Sequence, residues 1–135
     1  MNKFLSLRGI NIWMLIAAVL LNLFWSVLVV FLSSAIIFNS GNVPEDVAIT
    51  PWIPFIQAGL LLAYYSGSLL VGFLAGKMSP DGRGPTYGMY GALGAWLPIL
   101  FIFLPAGLIG LLMIVSTVLG GFSGGILSMR PPRHD

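Results

Sequence analysis

The chain has no cysteine, one histidine and few charges of either sign. Lack of cysteine removes disulfides, thiolate metal sites, iron–sulfur clusters and cysteine nucleophiles. The histidine, His134, falls in the C-terminal tail, so histidine ligation of haem or chlorophyll within a bilayer is excluded. Charged residues are 7% of the 135, against about 25% in an average soluble domain. That is too few to cover a surface facing water. No Asp, Glu, Lys, Arg or His interrupts the long apolar runs, and such residues mark proton relays, coupled carriers and voltage sensors. No Ser/His/Asp set, paired carboxylates, phosphate loop or metal-ligand spacing is present either. The expectation is a protein that is not an enzyme and carries no metal or cofactor.

What is present is hydrophobic: 58% of the residues, in uninterrupted runs without the spacing of amphipathic helices or alternating strands. The first run covers residues 10–38, with Trp13 near its start and Asn11 and Asn22 as its most polar side chains. Lys3 and Arg8 before it resemble a signal-peptide n-region, but the run exceeds the roughly 7–15 residues of a cleaved h-region, so it reads as a retained helix. Residues 39–50 (NSGNVPEDVAIT) form a polar linker holding Glu45 and Asp46. A second run covers 51–76. Residues 77–84 contain Ser79-Pro80-Asp81-Gly82, a turn signal because proline presets one dihedral and glycine accepts a positive one. The remaining apolar stretch, 85–128, would be about 66 Å long as one helix, too long for a core of about 30 Å. It must fold back, best at 104–107 (LPAG), giving spans at 85–103 and 108–128 and a tail at 129–135.

The predicted fold is therefore an all-α integral membrane protein, one domain of four transmembrane helices in two hairpins. By the positive-inside rule, Lys3, Arg8, Lys77, Arg83, Arg130 and Arg133 all fall on one side. Both termini are expected in the cytoplasm and the chain in the cytoplasmic (inner) membrane. A sequence echo between residues 72–76 (GFLAG) and 121–125 (GFSGG) is the pattern a duplicated two-helix hairpin would leave.

Small residues recur at four-residue spacing, which places them on one helical face and lets backbones approach closely. The second helix has Gly59, Ala63 and Gly67, with Ser68, Gly72 and Gly76 on an adjoining face. The third has Gly84, Gly88 and Ala92, with Gly91 and Ala95. The fourth has Ser116, Gly120, Gly124 and Ser128, beside Thr117, Gly121 and Gly125. These faces either hold one bundle together or, through one of them, dock another subunit; the fourth helix is the candidate for docking. The first helix instead carries Leu20, Leu21, Leu23, Phe24, Trp25, Val27 and Leu28, a bulky surface for lipid or a partner. Asn22 and Ser26, one turn apart, are expected to hydrogen-bond across helices. Tyr87 and Tyr90 suit the cytoplasmic interface. Gln57, Tyr64, Tyr65 and Trp96 are candidates for a buried polar or ligand contact, since a buried phenol or indole needs a partner. Pro98 predicts a kink in the third helix. Asp81 and Arg83 in the inner loop are within reach of a surface ion pair, but loop pairs are usually solvated and weak.

The segments GSLLVGFLAG (67–76), GMYGALGA (88–95) and GGFSGG (120–125), with the short inner turn, resemble small glycine-rich four-helix bacterial membrane families of unknown function. The resemblance implies the fold and no activity. Small multidrug transporters share the size, but their pattern requires a glutamate in the first helix, where this chain has none. The segment 91–96 (GALGAW) is similar to a glycine motif of dual-topology fluoride channels, but their arginine and Thr-Phe-Ser segment are missing.

The expected function is a non-catalytic small membrane subunit that packs with, stabilises or assembles a larger complex, with respiratory and photosynthetic assemblies as candidate hosts. Its partners are membrane lipids and other subunits or itself, not nucleic acid. One alternative is a homo-oligomeric pore or facilitator for a small solute, lined by Asn22, Ser26, Gln57, Ser116 and Thr117. Another is a lipid- or quinone-contacting module using Tyr64, Tyr65 and Trp96. Reporter fusions test the topology: fusions after Glu45 are expected to report the side opposite the cytoplasm, and fusions at residues 77–84 and at either terminus the cytoplasm. A cytoplasmic signal at Glu45 overturns it.

Overall fold

In lipid no water satisfies main-chain N–H and C=O groups, and a helix satisfies nearly all of them within one segment. The computed structural model describes residues 6–39, 53–103 and 107–129, and all regular structure among them is helical. The helices are α1 (Ile12–Asn39), α2 (Ile53–Met78), α3 (Gly84–Phe103) and α4 (Leu108–Ser128). The linker with Glu45 and Asp46, residues 104–106 where the fold-back is expected, and the tail beyond Met129 lie outside the described residues.

The termini of α1 and α3 follow from local chemistry. The Asn11 side chain caps α1, its Oδ1 accepting from the N–H groups of Trp13 (3.1 Å) and Met14 (3.4 Å). The inner turn closes with Gly82 at φ 68°, a left-handed conformation that glycine adopts at no steric cost. The Arg83 carbonyl then accepts from Thr86 and Tyr87, starting α3. Pro85 sits in the first turn, where a missing N–H costs nothing.

Three helices are long and apolar enough to cross a membrane: Ile12–Ser33, Phe55–Met78 and Leu108–Ser128. The remaining helix, α3, is not among these three. Gly84, Thr86, Tyr87, Gly88 and Gly91 give its first half few aliphatic side chains, and residues 84–88 are all buried. Outward-facing side chains of the other helices are large and apolar, among them Phe24, Phe55, Leu62 and Leu108, each at least 66% exposed.

α2 and α4 run parallel and form the most extensive interface, α3 runs antiparallel to both, and α1 lies against α3 and α2. Glycines determine how close the first three come. A Cβ on either Gly72 or Gly88 would overlap the carbonyl of Gly121, so α2, α3 and α4 meet there backbone to backbone. Toward the inner end Gly76, Gly84, Gly125 and Ser128 form a second such crossing. Along the α2–α4 seam Gly120 faces the Tyr65 carbonyl and Gly124 the Leu69 carbonyl. The two echo segments thus face each other, Gly72 against Gly121.

Since Gly120, Gly121, Gly124 and Gly125 are all buried, both small faces of α4 are occupied within the chain and leave no glycine face for docking a second subunit. The face of α2 with Gly59, Ala63 and Gly67 departs from close helix approach. Gly67 and Ala63 receive the ring of Trp25, and a Cβ on Gly59 would meet nothing within 4 Å.

α1 is less uniformly bulky than its sequence suggests, because Ala18, Asn22, Ser26 and Val29 form a buried strip. Ala18 packs on Gly91 and Val19 on Gly94. Asn22 and Ser26 do not bond across helices: Asn22 Nδ2 donates to the Ala18 carbonyl (3.0 Å) and Ser26 Oγ to the Asn22 carbonyl (2.9 Å). This back-bonding within one helix engages an Asn22 N–H and the Ser26 hydroxyl without a partner helix.

Two variants separate close approach from glycine content. Gly88→Ala is expected to destabilise the bundle by about 1–3 kcal/mol, the range for overpacking. Gly59→Ala, facing open space, is expected to leave stability unchanged or raise it by up to about 1 kcal/mol through helix propensity. Reversible unfolding in mixed micelles measures both; equal losses would refute the crossing at Gly121.

Candidate functional site

The core has two parts. Toward the inner end Ala18, Val71, Ala75 and Tyr87 pack together. Toward the outer end each helix contributes one residue, Val29, Tyr64, Trp96 and Met113. The Tyr64 and Trp96 rings lie 5.5 Å apart at 50°, within the favourable range for tilted aromatic pairs. Both are 2% exposed, so the pair is a packed centre rather than a wall open to a ligand. Tyr65 is only half-buried and meets Gly120 through its backbone.

The candidate pore residues that are buried bond within their own helices. Thr117 Oγ1 donates to the Met113 carbonyl (2.8 Å), and Asn22 and Ser26 bond within α1 as described. Gln57 and Ser116 are half-buried. Ala92 is fully buried in α3.

A polar staple that the sequence reading missed lies at the inner end. The Tyr87 hydroxyl donates to Asp81 Oδ2 (2.7 Å) and accepts from the Asn11 N–H (2.9 Å). Asp81 Oδ1 accepts from the Arg83 N–H (3.2 Å). Arg83 Nη1 donates to the carbonyl of Arg8 (2.8 Å). The Arg83 guanidinium thus bonds to main chain in the segment before α1, while Asp81 is engaged by a phenol and a backbone amide. Tyr87, expected at the interface, has 0% exposure. Its signal was proximity to a turn carrying a carboxylate, but its other partner stands 76 residues away. Lys77, in the last turn of α2, lies 5.6 Å from the Phe73 ring centroid.

Trp25 organises the third region. Its Nε1 donates to the Ala63 carbonyl (3.0 Å) and its ring covers Gly67, where a Cβ would overlap it. Past this contact α1 and α2 border a cleft of about 450 Å³, walled by Trp25, Leu28, Leu32, Ile56, Gly59 and Leu60. Its chemistry is apolar. Among the described residues no group of three His, Asp or Glu comes together.

Tyr87→Phe tests the staple. It leaves the Asn11 N–H and a carboxylate oxygen without their partner, an expected loss of about 1–3 kcal/mol. Faster amide exchange should follow in the first turn of α1, measured by hydrogen–deuterium exchange in micelles, with α4 unchanged. Compared with known proteins, the chain matches no family model, no curated protein and no solved structure.

Proposed function

We propose that the chain is a non-catalytic integral membrane subunit of four spans, with both termini cytoplasmic, that packs with and stabilises a larger complex in the cytoplasmic membrane. The observation that carries this reading is the outward surface of α1. Leu20, Phe24, Val27 and Phe31 are exposed on the helix with the smallest interfaces to the others, while the glycines of α2, α3 and α4 other than Gly59 and Gly107 are taken up internally. Helices in lipid associate by shape and close contact, and this stripe is the bulky, ridged surface left for a partner.

A span at α3 is supported by length, since 20 residues rise about 30 Å, the thickness of the hydrocarbon core. Its small and polar residues are tolerable because they face other helices. The inside orientation is supported by Arg8, Lys77 and Arg83 gathering at one end of the bundle. A pore finds less support, because Asn22, Ser26 and Thr117 are each buried and bonded to their own helix.

Purification from native membrane in mild detergent tests the proposal. The chain is expected to co-purify with one defined larger assembly, and Phe24→Ala with Phe31→Ala is expected to lower that recovery several-fold while the isolated chain keeps its melting behaviour. A lone symmetric oligomer that passes solute in liposomes overturns it.

A further inference from the structure

Every charged side chain among the described residues lies at the inner end: Arg8 before α1, Lys77 in the last turn of α2, and Asp81 and Arg83 in the inner turn. The fold brings two of the cations together. Arg83 Nη1 donates to the main-chain carbonyls of Arg8 (2.8 Å) and Ser6 (3.5 Å), so its guanidinium lies against the backbone that carries the Arg8 side chain. No carboxylate among the described residues faces either guanidinium. Asp81, the one acid among them, turns Oδ2 to the Tyr87 phenol and Oδ1 to the Arg83 main-chain N–H. Lys77 stands apart, its ammonium over the Phe73 ring. Two arginines gathered in this way repel each other, and a bound anion relieves the repulsion.

Residues 6–11 form a strap across the start of α3, turning at Gly9 (φ 76°). It is gripped by its main chain alone, through the Arg8 and Ser6 carbonyls and the Asn11 N–H. Its side chains are left outside: Leu7 and Arg8 are exposed, as are Ile12 and Trp13 where α1 begins, Trp13 to 80%. Cations and large apolar groups therefore share one level, the level at which an indole suits the membrane interface. An acidic protein segment would neutralise the arginines and leave Leu7, Ile12 and Trp13 in water. A phospholipid answers both, with a phosphate for the guanidinium forks and hydrocarbon for the apolar groups. A zwitterionic headgroup brings a cation of its own; an anionic one does not, and basic residues at a membrane surface favour it.

We propose that Arg8 and Arg83 form a site for the phosphate of an anionic phospholipid in the leaflet at the inner turn, with Leu7, Ile12 and Trp13 against its acyl chains. Tyr87 is a positioning residue for this site. By holding the Asn11 N–H it keeps the strap down on α3 and Arg8 beside Arg83. The inference rests on the reading of α1 and α2 as membrane spans.

The test uses the full chain in phosphatidylcholine vesicles carrying a trace of phosphatidylglycerol or of phosphatidylcholine, each spin-labelled on an acyl chain. Electron paramagnetic resonance reads the fraction of label immobilised by the protein. Phosphatidylglycerol is expected to associate several-fold more strongly than phosphatidylcholine. Arg8→Gln is expected to remove most of that preference, and Tyr87→Phe to lower it although no charge changes. Lys77→Gln, which removes an equal charge at the same end, is expected to leave most of it. Equal association of the two lipids overturns the site, and so do equal losses from Arg8→Gln and Lys77→Gln, the mark of diffuse attraction to a basic surface. A preference untouched by Tyr87→Phe overturns the positioning role. Inorganic phosphate that abolishes the preference, where chloride of equal ionic strength does not, assigns the arginines to a soluble anion and overturns the lipid. Resistance to alkaline extraction is scored separately. Loss of the chain from the membrane defeats the span reading itself, whereas stable insertion with equal association defeats only the lipid site.

Discussion

The carbonyl of Gly121 is the point on which the rest of the bundle depends. Gly72 of α2 and Gly88 of α3 both approach it so closely that neither position admits a methyl group. In water such an approach would add little to the burial of apolar surface, but in lipid helices gain nothing by hiding leucine from a medium equally apolar. What remains is dispersion between closely apposed backbones, with Cα–H groups of glycine directed at a carbonyl, a weak contact that recurs at helix interfaces. The second crossing at Gly76, Gly84 and Gly125 follows from the first, because three helices locked at one level and joined by a short turn stay close at the next.

The elements and their limits were legible in the sequence because each depends on neighbours along the chain. Apolar runs locate α1, α2 and α4, and the Pro80–Gly82 turn separates α2 from α3. Small-residue faces were also legible, but not what each would meet. Gly72 and Gly88 meet backbone, whereas Gly67 meets an indole and Gly59 meets open space, and nothing in four-residue spacing distinguishes these. The strip Ala18, Asn22 and Ser26 was hidden by its bulky neighbours, since α1 looks uniformly large until one face is selected by α3.

The candidate site was less legible for the same reason. Trp25 read as one more large residue of a lipid-facing helix, and its acceptor lies 38 residues on, in α2. Tyr87 read as an interfacial ring because a charged turn precedes it; its burial comes from the start of α1 folding over α3. A cleft is harder still. It depends on what two distant segments fail to fill, and its signal, a glycine on a face where no helix arrives, has the same appearance in sequence as a glycine at a tight crossing.

The unequal ends of the bundle follow from the distribution of side-chain size. Toward the inner end, glycine and serine draw α2, α3 and α4 into contact, and the bonds of Tyr87 and Arg83 tie the start of α1 onto them. Toward the outer end, Val29, Tyr64, Trp96 and Met113 occupy the centre and the Trp25 ring packs between α1 and α2, so large groups fill the contacts there. α1 is therefore fastened at its base and at Trp25, with its remaining length supported on fewer sides. The apolar cleft beside Gly59 and the exposed stripe at Phe24 and Phe31 therefore lie on the helix that the bundle grips least.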